Sequence, residues 1–249
     1  MHVINTKFRG LKIIQQKKMG DSRGNLRETF RKKIKSKYKF IYPSKNSLNI
    51  TKLKSIKRFL KRTKPKSVLH LAALSRPMSI HERNIGKSIS LNIIGTSNLV
   101  KVCSELNIKL IYFSTSYVYP GKRGNYKEDE PLLPWNNYAW SKLGGECAVQ
   151  MYKNSLILRV SMTEKPFIHK KAFANVKLNF LFHDELVKIL IKILDKKGII
   201  NVGGPTKTVY DFAKKYNSKV KKIFIKKNSL YNFPLNPFMN LTKLKKIIK

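Results

Sequence analysis

The chain has 249 residues, 42% of them hydrophobic, and a formal net charge of +40 from 53 Lys and Arg against 13 Asp and Glu. That length and apolar content allow one full core and exclude wholesale disorder. The cysteines Cys103 and Cys147 stand apart without metal-type spacing, which excludes a disulfide scaffold and a zinc cluster, and no apolar run reaches the ~20 residues that span a bilayer.

Taken in order, Met1 to Lys18 holds no apolar stretch of signal-peptide length, so a cytoplasmic location is expected. Leu11 to Gln15 and the segment after Gly24 read as a divergent first βα unit. Phe40 to Tyr42 reads as a short strand stopped by Pro43, and Leu53 to Lys61 as a helix ending before Pro65. Val68 to Ala73 is a buried-type strand. Asn92 to Leu106 has helical period and leads into a strand from Lys109 to Phe113. After a polar loop come a helix from Tyr138 to about Tyr152 and a strand from Leu156 to Val160. Thr163 to Phe182 mixes Pro, Phe, His and Lys without a period, which suits a substrate-covering lobe. Leu186 to Leu194 reads as an amphipathic surface helix with His183 and Asp184 as its cap. Asn201 to Pro205 is a strand ending in a turn, and Thr208 begins another helix.

This alternation is the mark of βαβ units. The expected fold is α/β, a Rossmann-like doubly wound parallel sheet with a small C-terminal substrate lobe and a first βα unit that is divergent or replaced. Ligands in such sheets bind outside the carboxyl ends of the strands. Ala73, Thr115 and Ser161 all fall at or just after such ends and are expected in one crevice.

The chemistry concentrates at Tyr138 and Lys142. Residues four apart share a helix face, and an ammonium beside a phenol favours the phenolate, giving a usable proton donor near neutral pH. Thr115 could hold a substrate oxygen against that phenol. Such a Tyr–Lys spacing is weak alone and gains weight from the strand and threonine before it. His70, inside an apolar strand, reads as a core residue. His169 could meet a diphosphate, and Trp135 and Trp140 could wall a sugar or base. Lysines are dispersed along the chain, so nucleic acid is expected to bind only non-specifically, through charge.

Several short motifs stand in a telling order: His70 to Ala73, Asn92 with Gly95 and Thr96, Ser114 to Tyr119, Tyr138 with Ser141, Lys142 and Glu146, Leu158 to Ser161, and Asn201 to Gly204. Together they resemble the extended short-chain dehydrogenase/reductases, the NAD-dependent epimerase/dehydratase family. Within it they look most like the dTDP-4-dehydrorhamnose reductases, to which Ser47 to Thr51 and the terminal Asn240 to Leu244 run are also similar. The resemblance implies NAD(P)H-dependent reduction of a 4-keto-6-deoxy sugar nucleotide. It makes Thr115, Tyr138 and Lys142 catalytic. It sets Asn49, Ile50, Leu71, Ala72, Ala73 and Lys142 against NADP or NAD, and Ser75, Ser116, Ser161 and His169 against the substrate. Asn92 is expected to tie helix to strand. Ser44 and Lys45 suit a 2′-phosphate and so favour NADPH. The family's dehydratases follow the threonine with Asp-Glu; here Ser116 and Tyr117 follow, which disfavours dehydration.

One departure concerns the glycines that let backbone N–H groups approach a pyrophosphate. The family shows Gly-x-x-Gly-x-x-Gly. Here Gly20 and Gly24 are one residue too far apart and Arg27 stands at the third position, so pyrophosphate binding is expected to be weakened. Ile4 to Phe30, with Arg23 and Glu28, resembles instead the opening of the dTDP-4-dehydrorhamnose 3,5-epimerases. The expected organisation is residues 1–35 as an epimerase-like fragment or divergent βα unit, and residues 36–249 as the reductase-like domain, with its lobe in 161–182 and 201–249. Partners would be a sugar nucleotide and a second copy of the chain. Alternatives are an NAD-retaining 4-epimerase and an impaired relative that binds polyanions.

Overall fold

The structure is a computed structural model that describes residues 3–5, 12–14, 40–165, 167, 169–225 and 233–249, the first two segments as backbone only. Strands β1 (Val3–Asn5) and β2 (Lys12–Ile14) pair with each other, antiparallel, with Ile4 opposite Ile13. Strand β2 therefore pairs outside the parallel sheet, where a divergent first βα unit over Leu11 to Gln15 would have put it inside. Its hydrogen bonds go to the hairpin partner instead. The segment after Gly24 lies outside the described residues.

Helix α1 (Leu53–Thr63) buries Ile56, Phe59 and Leu60. It stops where Lys64 turns left-handed, φ 42°, and its N–H reaches back to the Leu60 carbonyl at 2.8 Å; Pro65 then cannot continue the helix. Next come β3 (Ser67–His70), the short helices α2 (Ile80–Arg83) and α3 (Ile85–Ser88), a π-helical stretch over Ile89–Ile94, and α4 (Gly95–Glu105). Strand β4 (Lys109–Thr115) leads through a 3₁₀ turn, Ser116–Val118, toward α5 (Asn137–Gln150) and β5 (Ser155–Val160). Four two- or three-residue strands follow: β6 (Met162–Thr163), β7 (Lys171–Phe173), β8 (Lys177–Leu178) and β9 (Leu181–Phe182). The chain closes with α6 (His183–Ile193), β10 (Gly198–Val202), β11 (Lys207–Thr208), α7 (Val209–Lys214), β12 (Lys221–Ile223) and α8 (Thr242–Ile248).

The central sheet is parallel throughout, in the order β10-β5-β4-β3. Side chains alternate across a strand, and both faces are apolar. Ile111, Phe113, Leu156, Leu158, Ile200 and Val202 pack under α6 and α8, through Leu186, Val187, Leu190, Ile193 and Leu244. Leu110, Tyr112 and Ile157 point the other way, onto Ile56, Phe59 and Leu60 of α1, Leu99 and Val102 of α4 and Val149 of α5. Helices on both faces of a parallel sheet make the fold Rossmann-like and doubly wound, as the sequence reading has it. A third apolar cluster, with Phe167, Val176, Phe182, Val209 and Phe212, gathers the short strands and α7 into a small separate core.

Some boundaries differ from expectation. Phe40 to Tyr42 forms no ladder; the two rings stack at 6.0 Å and Phe40 packs against the α6 side of the sheet. β3 ends at His70, so Leu71 to Ala73 leave the sheet as irregular chain. His183 is the first residue of α6 and not its cap. Glu185 reaches back to the Phe182 N–H at 2.7 Å and does that work.

Close approach of α5 to the π-helical stretch depends on Gly144 and Gly145. A Cβ on Gly145 would sit 2.5 Å from the Asn92 carbonyl oxygen and 2.7 Å from the Tyr112 hydroxyl. A backbone carbonyl inside a helix cannot turn away. Gly145→Ala is therefore expected to cost about 1–3 kcal/mol through overpacking, read as a lower Tm. Gly86→Ala, whose new methyl meets nothing nearer than 3.9 Å, should hold the wild-type Tm; equal Tm in all three proteins would contradict the packing described.

Candidate active site

The carboxyl ends of β4 and β5 are tied to α5 by a buried polar network. Glu146 on α5 is fully buried and pairs with Arg159 on β5, itself 2% exposed, at 2.7 and 3.1 Å. Ser114 on β4 donates to the other carboxylate oxygen at 2.5 Å. The remaining Arg159 nitrogen donates to the Tyr119 hydroxyl at 2.7 Å and the Glu128 carbonyl at 2.9 Å. Tyr119 in turn donates to Asn201 Oδ1 at 2.8 Å, so β10 is joined as well. Burial pushes the Tyr119 phenol up to about 12 against the pull of Arg159, which keeps it a proton-bearing donor.

On this frame the first turn of α5 is set residue by residue. Asn136 caps it, accepting from the Ala139 N–H at 2.8 Å. Ser141 donates to the Tyr138 carbonyl at 2.7 Å and accepts from Asn92 at 2.8 Å. Asn92 also holds both backbone groups of Leu74, at 2.7 and 2.9 Å, so it ties the π-helical stretch to the loop after β3, where a tie to the strand itself was expected. The Tyr138 ring meets His81 edge-on at 5.2 Å and Tyr117 at 6.3 Å. Tyr117 is two residues past Thr115, whose hydroxyl accepts from the Tyr117 N–H at 3.3 Å.

Lys142 is 4% exposed, and its ammonium lies 4.1 Å from the centre of the Tyr112 ring, a cation–π contact in a nearly dry site. Tyr112 donates to the Lys142 carbonyl at 2.9 Å. Its phenol is pushed well above the ordinary tyrosine range by burial, and further by Glu146 and Tyr138. Beside it His70 bonds Thr96 at 3.0 Å, and Thr96 spends its own proton on the Asn92 carbonyl at 2.8 Å. His70 therefore donates from Nε2. Burial, and then the Lys142 charge, pull its pKa down to about 3, so it is a neutral core residue.

The other expected positions scatter around this centre. Asn49 folds its side chain onto Thr51 at 2.8 and 3.0 Å, and Ile50 is buried against Gly95. Leu71 is half-buried on the sheet core, Ala72 is exposed, and Ala73 and Ser75 are half-buried. Ser116 and Ser161 are buried just beyond the paired residues Thr115 and Val160, at neighbouring strand ends. His169 is exposed, with its ring 5.4 Å from Phe167 in the small core. A pocket of about 340 Å³, lined by Asn179, Gly203, Gly204, Met239, Asn240 and Lys245 among others, includes none of these residues.

Among the described residues, four buried side-chain atoms have no hydrogen-bond partner: His81 Nε2, Ser116 Oγ, Trp135 Nε1 and Ser161 Oγ. Such atoms are rare in native proteins and ask for a ligand, water or strain to explain them. Two adjoin the rings around Tyr138: His81 touches Tyr138 itself, and Trp135 packs on Tyr117 at 4.9 Å. Ser116 and Ser161 were legible as loop polars after strands. His81 was not, because it belongs to no spacing pattern. The small residues Ala72 and Ala73 in the loop after β3 and the buried Lys142 are of the kind that the nicotinamide end of a dinucleotide takes. Gly20 and Gly24 lie outside the described residues. No cluster of metal-ligating side chains and no membrane-spanning helix occurs among the described residues.

Comparison with known proteins agrees with this fold. Residues 20–199 match the model of the RmlD substrate binding domain. The fold superposes on a dTDP-4-dehydrorhamnose reductase from Bacillus anthracis str. Ames, solved in complex with NADP, with TM-score 0.78 and 22% identity, covering 89% of this chain and 88% of that one. Sequence relatives include the methionine adenosyltransferase 2 subunit beta of Xenopus laevis, 34% identical over 119 residues, which are 47% of this chain and 35% of the relative. Another is a dTDP-4-keto-6-deoxy-D-glucose reductase of Streptomyces niveus, 33% identical over 109 residues, 43% of this chain and 37% of that enzyme. The matched segments thus span little more than a third of these relatives' length.

His70 gives the site a pH signature. Its folded pKa of about 3 lies below the ordinary 6.5. Between those values the unfolded chain holds the extra proton, and stability falls as pH falls, by about 1.4 kcal/mol per pH unit. His70→Gln removes this slope. From about pH 6.5 to about pH 4.5 the wild type should lose about 2 kcal/mol more than the variant in urea unfolding; equal losses would contradict a neutral buried imidazole.

Proposed function

Because the chain belongs to the RmlD substrate-binding-domain family, we propose that it reduces the 4-keto group of a 6-deoxy sugar nucleotide, dTDP-linked, with NADPH. The observation that carries this reading is the set of unpartnered buried polar atoms around Tyr138 and Tyr117 and at the ends of β4 and β5. Polar atoms of this kind favour a hydroxyl-bearing ligand beside them over an apolar one.

Bound NADPH would supply the hydride to C4. Tyr138 donates its phenolic proton to the C4 oxygen, which stays on C4 and becomes its hydroxyl, and Thr115 holds that same oxygen by a hydrogen bond. Lys142, desolvated beneath the helix, lowers the cost of the phenolate and takes the ribose hydroxyls. Leu71, Ala72 and Ala73 admit the cofactor close to the backbone, and Asn49 and Ile50 lie on the adenine side. Ser44 and Lys45, at the turn where Ser44 bonds Ser47 at 3.1 Å, favour the 2′-phosphate of NADP. Ser75, Ser116, Ser161 and His169 meet the sugar and diphosphate. The free thiols of Cys103 and Cys147 are consistent with a reducing cytoplasm.

A second reading is a non-catalytic member of the family. It is supported by the +40 charge and by the likeness to a protein named as a subunit of methionine adenosyltransferase. It requires steeply salt-dependent polyanion binding without NADPH affinity.

The test is NADPH oxidation with a dTDP-4-keto-6-deoxyhexose. Tyr138→Phe should lower kcat by about 10²–10⁴-fold, the usual worth of a positioned general acid, while NADPH binding persists. Equal rates in the two proteins would remove Tyr138 from the chemistry, and absence of NADPH binding by the wild type would favour the second reading.

A further inference from the structure

His81 lies outside every motif that points to the site, yet its ring is nearer to the Tyr138 ring than that of Tyr117, 5.2 against 6.3 Å. It is fully buried on α2, which follows the loop leaving β3. The next residue, Glu82, accepts from the Asn137 side chain at 2.5 Å. Two adjacent residues of α2 thus meet two adjacent residues at the start of α5, which keeps the imidazole beside the phenol.

Its two nitrogens have different fates. Nδ1 lies 2.7 Å from Ser88 Oγ, itself buried on α3. The nitrogens project from opposite sides of the ring, so anchoring Nδ1 on α3 turns Nε2 away from that helix. Nε2 has no partner in the protein. Burial lowers the His81 pKa below its ordinary value, with Glu82 opposing in part. The ring is accordingly neutral at pH 7 and carries one donor and one acceptor. A phenyl ring would fill the same space without burying an unsatisfied nitrogen.

We infer that His81 Nε2 hydrogen-bonds a hydroxyl of the bound hexose beside the carbonyl that Tyr138 protonates, with Ser88 fixing the ring for that contact. The inference rests on the sugar-nucleotide reading above and adds a specificity determinant to it. His81 recognises the sugar, not the nucleotide, and it does not transfer the proton itself. Loss of one such hydrogen bond leaves a site hydroxyl unpaired and discriminates strongly against the affected ligand.

Binding of dTDP-glucose and of dTDP alone to the full chain, by calorimetry, separates the outcomes. His81→Phe should weaken dTDP-glucose by about 10-fold, which corresponds to roughly 1.4 kcal/mol, and leave dTDP unchanged. His81→Gln, which restores a polar atom, should recover part of the loss. With the 4-keto substrate the His81→Phe effect should fall on KM more than on kcat, unlike that of Tyr138→Phe. Unchanged dTDP-glucose affinity in His81→Phe, or equal weakening of both ligands, would overturn the inference while leaving the reductase reading standing. Should His81→Phe not fold, Ser88→Ala keeps the ring and frees its orientation; it should weaken dTDP-glucose selectively, and wild-type affinity there would equally overturn the inference. A wild type that binds dTDP-glucose no better than dTDP would sink the sugar-nucleotide reading, and this inference with it.

Discussion

Glu146 and Arg159 face each other in the interior, 0% and 2% exposed, and the ends of the sheet are arranged around that pair. Taking two such charges out of water costs several kcal/mol per ion, which their attraction offsets only if the remaining polar atoms are also paired. Here they are. Ser114 serves the second carboxylate oxygen, and Tyr119 and the Glu128 carbonyl serve the last guanidinium nitrogen. The pair therefore couples β4, β5, the loop after β4 and α5 in one register. Through Tyr119 and Asn201 it reaches β10 and the Asn240 carbonyl near the C-terminus.

Helix α5 is held at two places along its length. Glu146 anchors it to the strands, while Asn136, Ser141 and Asn92 fix the turn that bears Tyr138. The π-helical stretch brings Asn92 within reach, and Gly145 lets the two helices close to a distance that any Cβ would prevent. π-helical turns often mark functional sites, and here the irregularity places an asparagine between the loop after β3 and the helix that bears Tyr138. Lys142 is buried on the same helix, over Tyr112. Beyond the strand ends, the aromatic rings of Tyr117, Trp135 and Phe233 join this region to the small apolar core of the lobe.

Much of this was legible in the sequence for identifiable reasons. The parallel strands Lys109–Thr115 and Ser155–Val160 are apolar on both faces, so their character shows without knowledge of their neighbours. Tyr138, Lys142 and Thr115 belong to local spacings. Glu146 and Arg159 were legible as motif positions, but their pairing was not, because it joins elements that no periodicity relates. Phe40 to Tyr42 shows the converse. Its composition suits a strand, but strand character is realised only when a neighbour offers a ladder. Among the described residues it has none. His81 and the separate β1–β2 hairpin were illegible for a similar reason: tertiary placement decided both.

The account turns on the buried pair as the tie that holds the helix bearing Tyr138 to the strand ends. A double-mutant cycle with Glu146→Gln and Arg159→Met, read by urea unfolding, measures that tie directly. Each single change should cost about 3–5 kcal/mol because it strands the other charge. The double variant should be less destabilised than the sum of the two by about 1–3 kcal/mol. Additive losses, or single variants as stable as the wild type, would contradict the claim that this pair organises the site.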